Sequence, residues 1–217
     1  EIALRRSSVA RRYSLRVSGL DGRVTLTLPR RASLADGLAF ARSREAWIRN
    51  ALVSRTPVQE VVPGTVLPVE GRALRIDAAP VRTVRVDGPR LLVPDAGPTG
   101  VRVAAFLKAT ARRRLAAATE RHAARLGRPP GRITLRDPRS RWGSCSSSGD
   151  LMFSWRLVMA PPEVLDYVAA HEVAHLAEMN HSPAFWAVVA RLCPGYAPHR
   201  AWLRAEGASL HRYRFAY

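Results

Sequence analysis

Apolar and polar residues alternate along the N-terminal part of the chain. A two-residue period runs through Leu15 and Val17 and returns at positions 24–28, on the far side of Asp21-Gly22. This alternation is typical of strands that bury one face, and an Asp-Gly pair between two such runs favours a tight turn. The pattern therefore predicts a β-hairpin over this segment.

A helix and further strands are predicted after the hairpin. Ser33 and Asp36 have the spacing of an N-terminal capping pair, and apolar residues between Leu34 and Leu52 recur at helical intervals. Short alternating runs return between residues 60 and 95, where glycines separate them. These runs predict a small antiparallel meander, and no catalytic or metal-binding motif lies within it.

A long helix and a second small sheet are predicted in the C-terminal half. Pro and Gly residues at 95–98 mark the best candidate domain boundary. The helix that follows spans about residues 100–126, with Thr99 as its cap and Gly127 as a left-handed C-terminal residue. Three short apolar runs between residues 133 and 157, separated by turn residues, predict strands.

The composition agrees with a folded protein of two parts. The chain has 217 residues, of which 47% are hydrophobic, so it is long enough to bury a core, and this excludes disorder as its dominant state. We expect an α+β fold with a β-rich N-terminal part with one helix over residues 1–96 and a second domain over residues 97–217.

The sequence also bears on the compartment. It has no run of about 18 uncharged apolar residues, and its first residues lack the apolar core of a signal peptide. Two cysteines, Cys145 and Cys193, are too few for a disulfide framework. We therefore expect a soluble cytoplasmic protein with free thiols and no membrane partner.

Basic residues are unevenly distributed along the chain. The formal net charge is +18, and residues 101–141 carry 12 basic side chains against 2 acidic ones, whereas residues 142–217 carry 6 of each. An arginine-rich surface attracts polyanions through counterion release, which makes a nucleotide or a nucleic acid a candidate partner. A solvated basic face that keeps the protein soluble is the alternative.

A metal-binding pattern lies in the next predicted helix, which starts at Pro161-Pro162. His171 and His175 are four residues apart, so their side chains lie about 40° apart and about 6 Å along one helical face. Two imidazoles can therefore share one cation. Glu172 lies about 100° to one side, close enough to act on a water at the metal. This is the His-Glu-x-x-His arrangement of zinc hydrolases.

A catalytic zinc needs a third protein ligand and an open fourth position. His181 is the first candidate, because Asn180 can end the helix in a left-handed turn while Ser182 and Pro183 start the next helix. That places His181 in the corner between two helices. Glu178, near the end of the metal helix, is the rival ligand.

Three neutral imidazoles leave a bound zinc with its full charge, which favours hydroxide near neutral pH. Glu172 is then predicted to act as the general base. The segment after His181 has to fold back near the site, so it supplies the candidate oxyanion donors Tyr196, His199 and Arg200.

The sequence resembles the YgjP-like metallopeptidases, a family related to the SprT-like and other zincin proteases. One part of the resemblance is Arg-Trp-Gly-Ser-Cys-Ser at 141–146, and another is His-Glu-Val-Ala-His at 171–175 with Asn-His-Ser at 180–182. Pro-Gly-Tyr at 194–196 and His-Arg-Ala-Trp-Leu at 199–203 complete it. The match covers roughly residues 130–205, and the N-terminal half fits in layout.

The resemblance implies a zincin-like metallopeptidase domain with one zinc per chain, held by His171, His175 and His181, and with Glu172 catalytic. In zincins an edge strand beside the metal receives an extended peptide, and the strand at 142–147 is our candidate. The resemblance thereby assigns substrate binding to Arg141, Trp142 and Ser144. For Trp142 and Cys145, a place in the core is the alternative.

The function predicted first is a zinc-dependent hydrolase, an intracellular metallopeptidase that acts on a protein or peptide. A nucleoside triphosphate (UTP-type) pyrophosphohydrolase is the alternative within enzymes, since this activity has been attached to similar proteins and a basic surface suits phosphates. A nucleic-acid-associated SprT-like module is the third reading. Against it, the sequence has no zinc-finger spacing and no helix-turn-helix signature.

Overall fold

The alternating N-terminal residues form a three-stranded sheet in the computed structural model, which describes residues 1–18, 22–53 and 57–215. Its strands are β1 (Ile2–Ser7), β2 (Ser14–Val17) and β3 (Val24–Pro29). The central strand, β3, pairs in parallel with β1 and antiparallel with β2, and Leu15 lies opposite Leu26. The predicted hairpin is therefore confirmed, although Asp21 of its turn lies outside the described residues.

Two helices complete the first structural unit, Glu1–Val58. The side chain of Ser33 accepts a hydrogen bond from the Asp36 amide at the start of α1 (Leu34–Ser43), as its capping spacing predicted. The predicted single helix is interrupted at Arg44, where φ is −109° and ψ is 14°, and α2 (Glu45–Val53) follows. Trp47, one of the apolar residues of the predicted helix, lies in α2 and is 49% exposed.

The second unit, Gln59–Tyr217, begins with a short strand and a four-stranded sheet. The short strand is β4 (Gln59–Glu60). The strands of the sheet are β5 (Val66–Val69), β6 (Arg72–Ala79), β7 (Arg85–Asp87) and β8 (Arg90–Pro94). The sheet has the order β5-β6-β8-β7, and β6 and β8 are parallel. The predicted antiparallel meander is wrong at this pair, because the β7–β8 hairpin inserts its second strand beside β6.

Helix α3 (Thr99–Leu126) follows this sheet. It begins one residue earlier than predicted, with Pro98 rather than Thr99 at the cap position, and it ends at Gly127, whose φ of 74° is the predicted left-handed conformation. Leu107 and Leu115 are fully buried on its inner face.

The remaining elements are another three-stranded sheet and the C-terminal helices. The sheet consists of β9 (Ile133–Arg136), β10 (Gly143–Cys145) and β11 (Leu151–Ser154) in the order β10-β11-β9, so β10 is an edge strand. The elements that follow are a 3₁₀ helix (Trp155–Met159), α4 (Pro162–Ala174), α5 (Pro183–Leu192), α6 (Tyr196–Ala205), a second 3₁₀ helix (Gly207–Arg212) and β12 (Tyr213–Arg214), which pairs with β4.

A continuous hydrophobic core runs through the second unit. Leu74 and Leu91 of the four-stranded sheet contribute to it, together with Leu107 and Leu115 of α3 and Val168 of α4. The structural units divide between Val58 and Gln59, and the expected boundary after residue 96 lies in an exposed turn between β8 and α3, both of which contribute to this core. The mixture of sheets and helices is the expected α+β class. No helix among the described residues is long and apolar enough to cross a membrane.

A buried arginine ties the end of the second unit to its centre. The Arg156 guanidinium donates to the Asp137 carboxylate, with Nε 2.7 Å from Oδ1, and to the backbone carbonyls of Leu210 and Tyr213 at 2.9 and 3.1 Å. Arg156 is 7% exposed, so its charge is compensated by these acceptors rather than by solvent.

Replacing Arg156 with Ala should lower the free energy of unfolding by about 2–4 kcal/mol, because the carbonyls of Leu210 and Tyr213 would lose their donor and Asp137 its cation. Urea unfolding followed by tryptophan fluorescence measures the change. Arg112→Ala is the matched control, since Arg112 is exposed on α3 and should change stability by less than about 0.5 kcal/mol. Equal effects of the two substitutions would contradict the anchoring role.

Candidate metal centre

Helix α4 places two histidines at its C-terminal end. Pro162 lies in its first turn, as the sequence predicted, whereas Pro161 occupies the cap position just before it. The helix ends at Ala174, so His171 lies in the last turn and His175 is the C-terminal cap. The prediction that Asn180 ends this helix in a left-handed turn is wrong: the helix stops earlier, and Asn180 has no positive φ.

His181 lies in the corner between α4 and α5, where it was predicted. The Ser182 hydroxyl accepts a hydrogen bond from the Phe185 amide and so caps α5, and Pro183 is the first residue of that helix. The Ser182 amide donates to the Asn180 carbonyl at 2.8 Å, which tightens the turn. These local bonds direct His181 back towards α4.

The three histidines converge. One ring nitrogen of each of His171, His175 and His181 lies within 4.8 Å of those of the other two. The Nε2 atoms of His171 and His181 are 3.1 Å apart. Two imidazole nitrogens bound to one tetrahedral zinc are separated by about 3.3 Å, so this spacing fits a shared metal ion.

The chemical state of the histidines also fits metal binding. The pKa of His171 is lowered to about 3, chiefly by burial and in addition by the neighbouring His175, His181 and Arg200. Burial likewise lowers the pKa of His175. Both rings are therefore neutral near pH 7, and the neutral imidazole is the form that ligates a metal.

His175 is oriented by a backbone acceptor. Its Nδ1 lies 3.0 Å from the Glu178 carbonyl oxygen, so Nδ1 is the donor and Nε2 is left as the ligand atom. Glu178 was the rival metal ligand, yet its carboxylate is not in the cluster of ligand atoms. Glu178 therefore supports the site through its main chain.

Aromatic rings hold His171 in place. Phe185, Trp186 and Tyr167 have ring centroids 4.9, 5.7 and 5.9 Å from the His171 ring. The Nδ1 atom of His171 is buried and has no hydrogen-bond partner among the described residues. No hydrogen bond to Nδ1 therefore orients this ring within the part of the chain that the structure describes, and the packing of the three neighbouring rings does so instead.

Glu172 is a buried acid next to the histidines. It is 5% exposed, and burial raises its pKa to about 8 against the opposing charge of Arg141. Gly143 of β10 lies against this side chain: a Cβ atom there would be 2.5 Å from the Glu172 Oε1. The missing side chain of Gly143 therefore makes the space that the Glu172 carboxylate occupies.

A cleft of about 490 Å³ opens onto these groups. Its walls come from α4, the corner that follows it and the edge strand β10. The lining residues are Ser140, Arg141, Gly143, Ser144, Cys145, His171, Glu172, His175, Met179 and His181. Arg141 and Ser144, two of the predicted substrate-binding residues, thus face the cleft. Met179, which is 51% exposed, was not predicted, because a lone Met in a turn carries no sequence signal.

Four other candidates do not line this cleft. The Trp142 ring lies 5.3 Å from that of His211 and packs against the hydrophobic core, which was the alternative for this residue. Tyr196 stacks on Trp186 at 5.4 Å, and the Arg200 guanidinium lies 4.3 Å from the centre of the same Trp186 ring. Tyr196 and Arg200 therefore support the rings that hold His171.

His199, the fourth of these candidates, lines a different cleft. That cleft is larger, about 730 Å³, and is lined mainly by residues of α3, α4 and the segment around Cys193. Two of its arginines are already paired, Arg114 with Glu70 and Arg121 with Asp166. The larger cleft thus has no cluster of metal ligands among the described residues, and the histidine cleft remains the candidate centre.

Comparisons with known proteins give a family match and a weak structural similarity. A family model described as "YgjP-like, metallopeptidase domain" matches residues 11–206, which include the three histidines and Glu172. The crystal structure of the metallopeptidase zymogen of Pyrococcus abyssi abylysin is similar over 43% of this chain and 92% of that chain, with 23% identity and a TM-score of 0.38. No curated protein matches the sequence.

In the metal-free protein, Glu172→Gln should increase stability near pH 8. The folded state keeps Glu172 protonated up to about pH 8, whereas the unfolded chain releases this proton near pH 4.5, so wild-type stability falls as the pH rises between these values. Gln does not titrate. The variant should therefore match the wild type below about pH 4.5 and exceed it by on the order of 2 kcal/mol at pH 8.

Urea unfolding of both proteins with a chelator, at several pH values, measures this difference. The pH dependence that the histidines cause is common to the two proteins and cancels in the comparison. A stability difference that stays constant between pH 4 and pH 8 would show that Glu172 is ionised in the folded state.

Proposed function

The chain belongs to the YgjP-like metallopeptidase domain family, and on that basis we propose that it is a zinc-dependent peptidase that hydrolyses peptide bonds of a protein or peptide. The observation that carries this proposal is the convergence of three histidine nitrogens within 4.8 Å, with Glu172 beside them in an open cleft. This set provides three protein ligands, an open position and a base.

The donor set favours zinc. Three imidazole nitrogens with a vacant position on the solvent side are typical of catalytic zinc, whereas calcium and magnesium prefer oxygen ligands. A divalent metal bound there supplies a Lewis acid that polarises the scissile carbonyl and activates a water. His175 is prepared for this role by its bond to the Glu178 carbonyl, and His171 by its aromatic neighbours.

Glu172 has the position and the environment of the general base. Its carboxyl group lines the cleft together with His171 and His175. Burial raises its pKa to about 8 although the charge of Arg141 opposes this shift, and a cation held by the histidines would favour the ionised form further. Glu172 can then accept a proton from the attacking water and pass it to the leaving nitrogen. Its contact with Gly143 keeps the carboxylate in the cleft.

The edge strand β10 offers a place for the substrate backbone. One side of β10 pairs with β11, and its other side is not paired in any sheet of the described residues. An extended peptide can add to such an edge through main-chain hydrogen bonds. Gly143 and Ser144 of this strand line the cleft, so a peptide bound there would pass the histidines.

His181→Ala should abolish stoichiometric zinc binding, because two imidazoles from one helix end do not complete the ligand set. Metal analysis after dialysis measures the content, with about one zinc per chain expected for the wild type and well below that for the variant. His199→Ala is the matched control, since His199 lines the other cleft and should leave zinc content unchanged. Full zinc content in the His181 variant would refute its role as a ligand.

Glu172→Gln should lower kcat by a factor of at least about 100 with zinc content unchanged, because the amide cannot accept the proton. Gly143→Ala should also lower kcat, since its Cβ would collide with the Glu172 carboxylate. Casein and a peptide mixture are the test substrates, with and without a chelator. Ser147→Ala, on the exposed turn after β10, is the control for a small change nearby.

A nucleoside triphosphate assay run beside the peptide assay tests the alternative enzyme. Hydrolysis of the nucleotide but not of peptides, lost with the chelator and in the Glu172 variant, would replace the peptidase proposal with the pyrophosphohydrolase. Peptide hydrolysis that persists in the Glu172 variant would remove the general-base assignment.

A further inference from the structure

The metal cleft has an uneven distribution of charge. Among the described residues that line it, Arg141 is the single Arg or Lys, and Glu172 is the single Asp or Glu. Glu172 is buried beneath Gly143 and belongs to the proposed chemistry. Arg141 is exposed, so its positive charge is available at the cleft wall.

Arg141 lacks an anionic partner within the described part of the chain. It makes no ion pair and no hydrogen bond there, although its charge is close enough to Glu172 to oppose the effect of burial on that carboxyl. Three other arginines of the same unit do have an anionic partner: Arg114 pairs with Glu70, Arg121 with Asp166 and Arg156 with Asp137. An unpaired guanidinium beside a proposed catalytic centre is placed to bind an anion that comes from outside.

The neighbours of Arg141 in the cleft indicate which anion fits. Ser140 and Ser144 line the same cleft, and both carry hydroxyl donors. A planar guanidinium with hydroxyl groups nearby matches a carboxylate, which accepts two parallel hydrogen bonds from arginine. Peptide substrates provide carboxylates in two ways, from Asp or Glu side chains and from a free C-terminus.

We propose that Arg141 binds a carboxylate of the substrate and makes the cleft selective for peptides that carry an acidic side chain or a free C-terminal carboxylate beside the scissile bond. This inference rests on the proposed peptidase function and names its substrate class. A basic side chain at the same position would be repelled by the guanidinium, so the selection works in both directions.

Binding to the zinc-loaded Glu172→Gln protein tests the proposal separately from turnover. Two matched pairs of fluorescent peptides are the probes: one pair differs by Glu or Gln at a central position, and the other has a free or amidated C-terminus. Fluorescence anisotropy should show on the order of 10-fold tighter binding of the acidic member of at least one pair. The pair that responds identifies the source of the carboxylate.

Substitution of Arg141 should remove this preference. In the same background, Arg141→Gln should equalise the two members of the responding pair, and Arg141→Lys should keep part of the preference, since lysine retains the charge but not the planar fork. Arg139→Gln is the matched control, because Arg139 is also exposed but does not line the cleft. The preference should also shrink as the salt concentration rises.

Three results would overturn the proposal. These are equal affinity for both members of each pair, a preference that persists in Arg141→Gln, and Arg141-dependent binding of a nucleoside triphosphate without any discrimination among the peptides. Circular dichroism and thermal melting of each variant verify the fold. If a variant failed to fold, the discrimination between matched peptides by the Arg141 protein would still decide the outcome.

Turnover by the wild-type protein separates the two proposals. If it cleaves acidic and neutral peptides with the same kcat/KM, the peptidase function stands and the selectivity fails. If acidic peptides bind through Arg141 but no peptide is cleaved, the carboxylate site stands and the peptidase function fails.

Discussion

The site depends on holding three imidazoles around one point. Burial keeps His171 and His175 uncharged, but it also removes the solvent that would otherwise satisfy their ring nitrogens. The protein meets this demand by different means for each ring: a backbone carbonyl orients His175, and aromatic packing orients His171. His181 is directed by the capped start of α5. The rigidity of the centre therefore resides in the end of one helix, the start of the next and the rings between them.

Burial has a second effect, on Glu172. In a dry environment a carboxyl group prefers its neutral form, whereas a general base has to be ionised. The charge of Arg141 acts against burial, and a metal held by the histidines would act in the same direction, so the proposed base would ionise more readily once the centre is filled. Gly143 contributes by its size, because it leaves room for the carboxylate at the edge of the sheet. The Glu172 carboxyl group, the Arg141 guanidinium and the edge strand β10 thus line the same cleft.

The convergence of the histidines could be predicted from the sequence, since it follows from helical spacing and from the capping residues around His181. The supporting contacts could not. Tyr196 and Arg200 come near the site through their stack with Trp186, which depends on how α5 and α6 pack, and no local pattern reports that. The contact of Trp142 with His211 likewise joins residues far apart in the chain, so no local pattern predicts it. The parallel pairing of β6 with β8 could not be predicted either, because the alternation of apolar and polar residues indicates a strand but not its neighbours in the sheet.

The pairing of β4 with β12 has a consequence for the topology of the second unit. Gln59 lies beside Tyr213 and Glu60 beside Arg214, so the unit begins and ends on adjacent strands. The two strands are parallel, so the end of β12 lies beside the end of β4 and within a few residues of its start. Such a unit suits circular permutation: a short linker can join the two strands, and new termini can be opened in an exposed turn such as the one at Gly88 without separating α4 from β10.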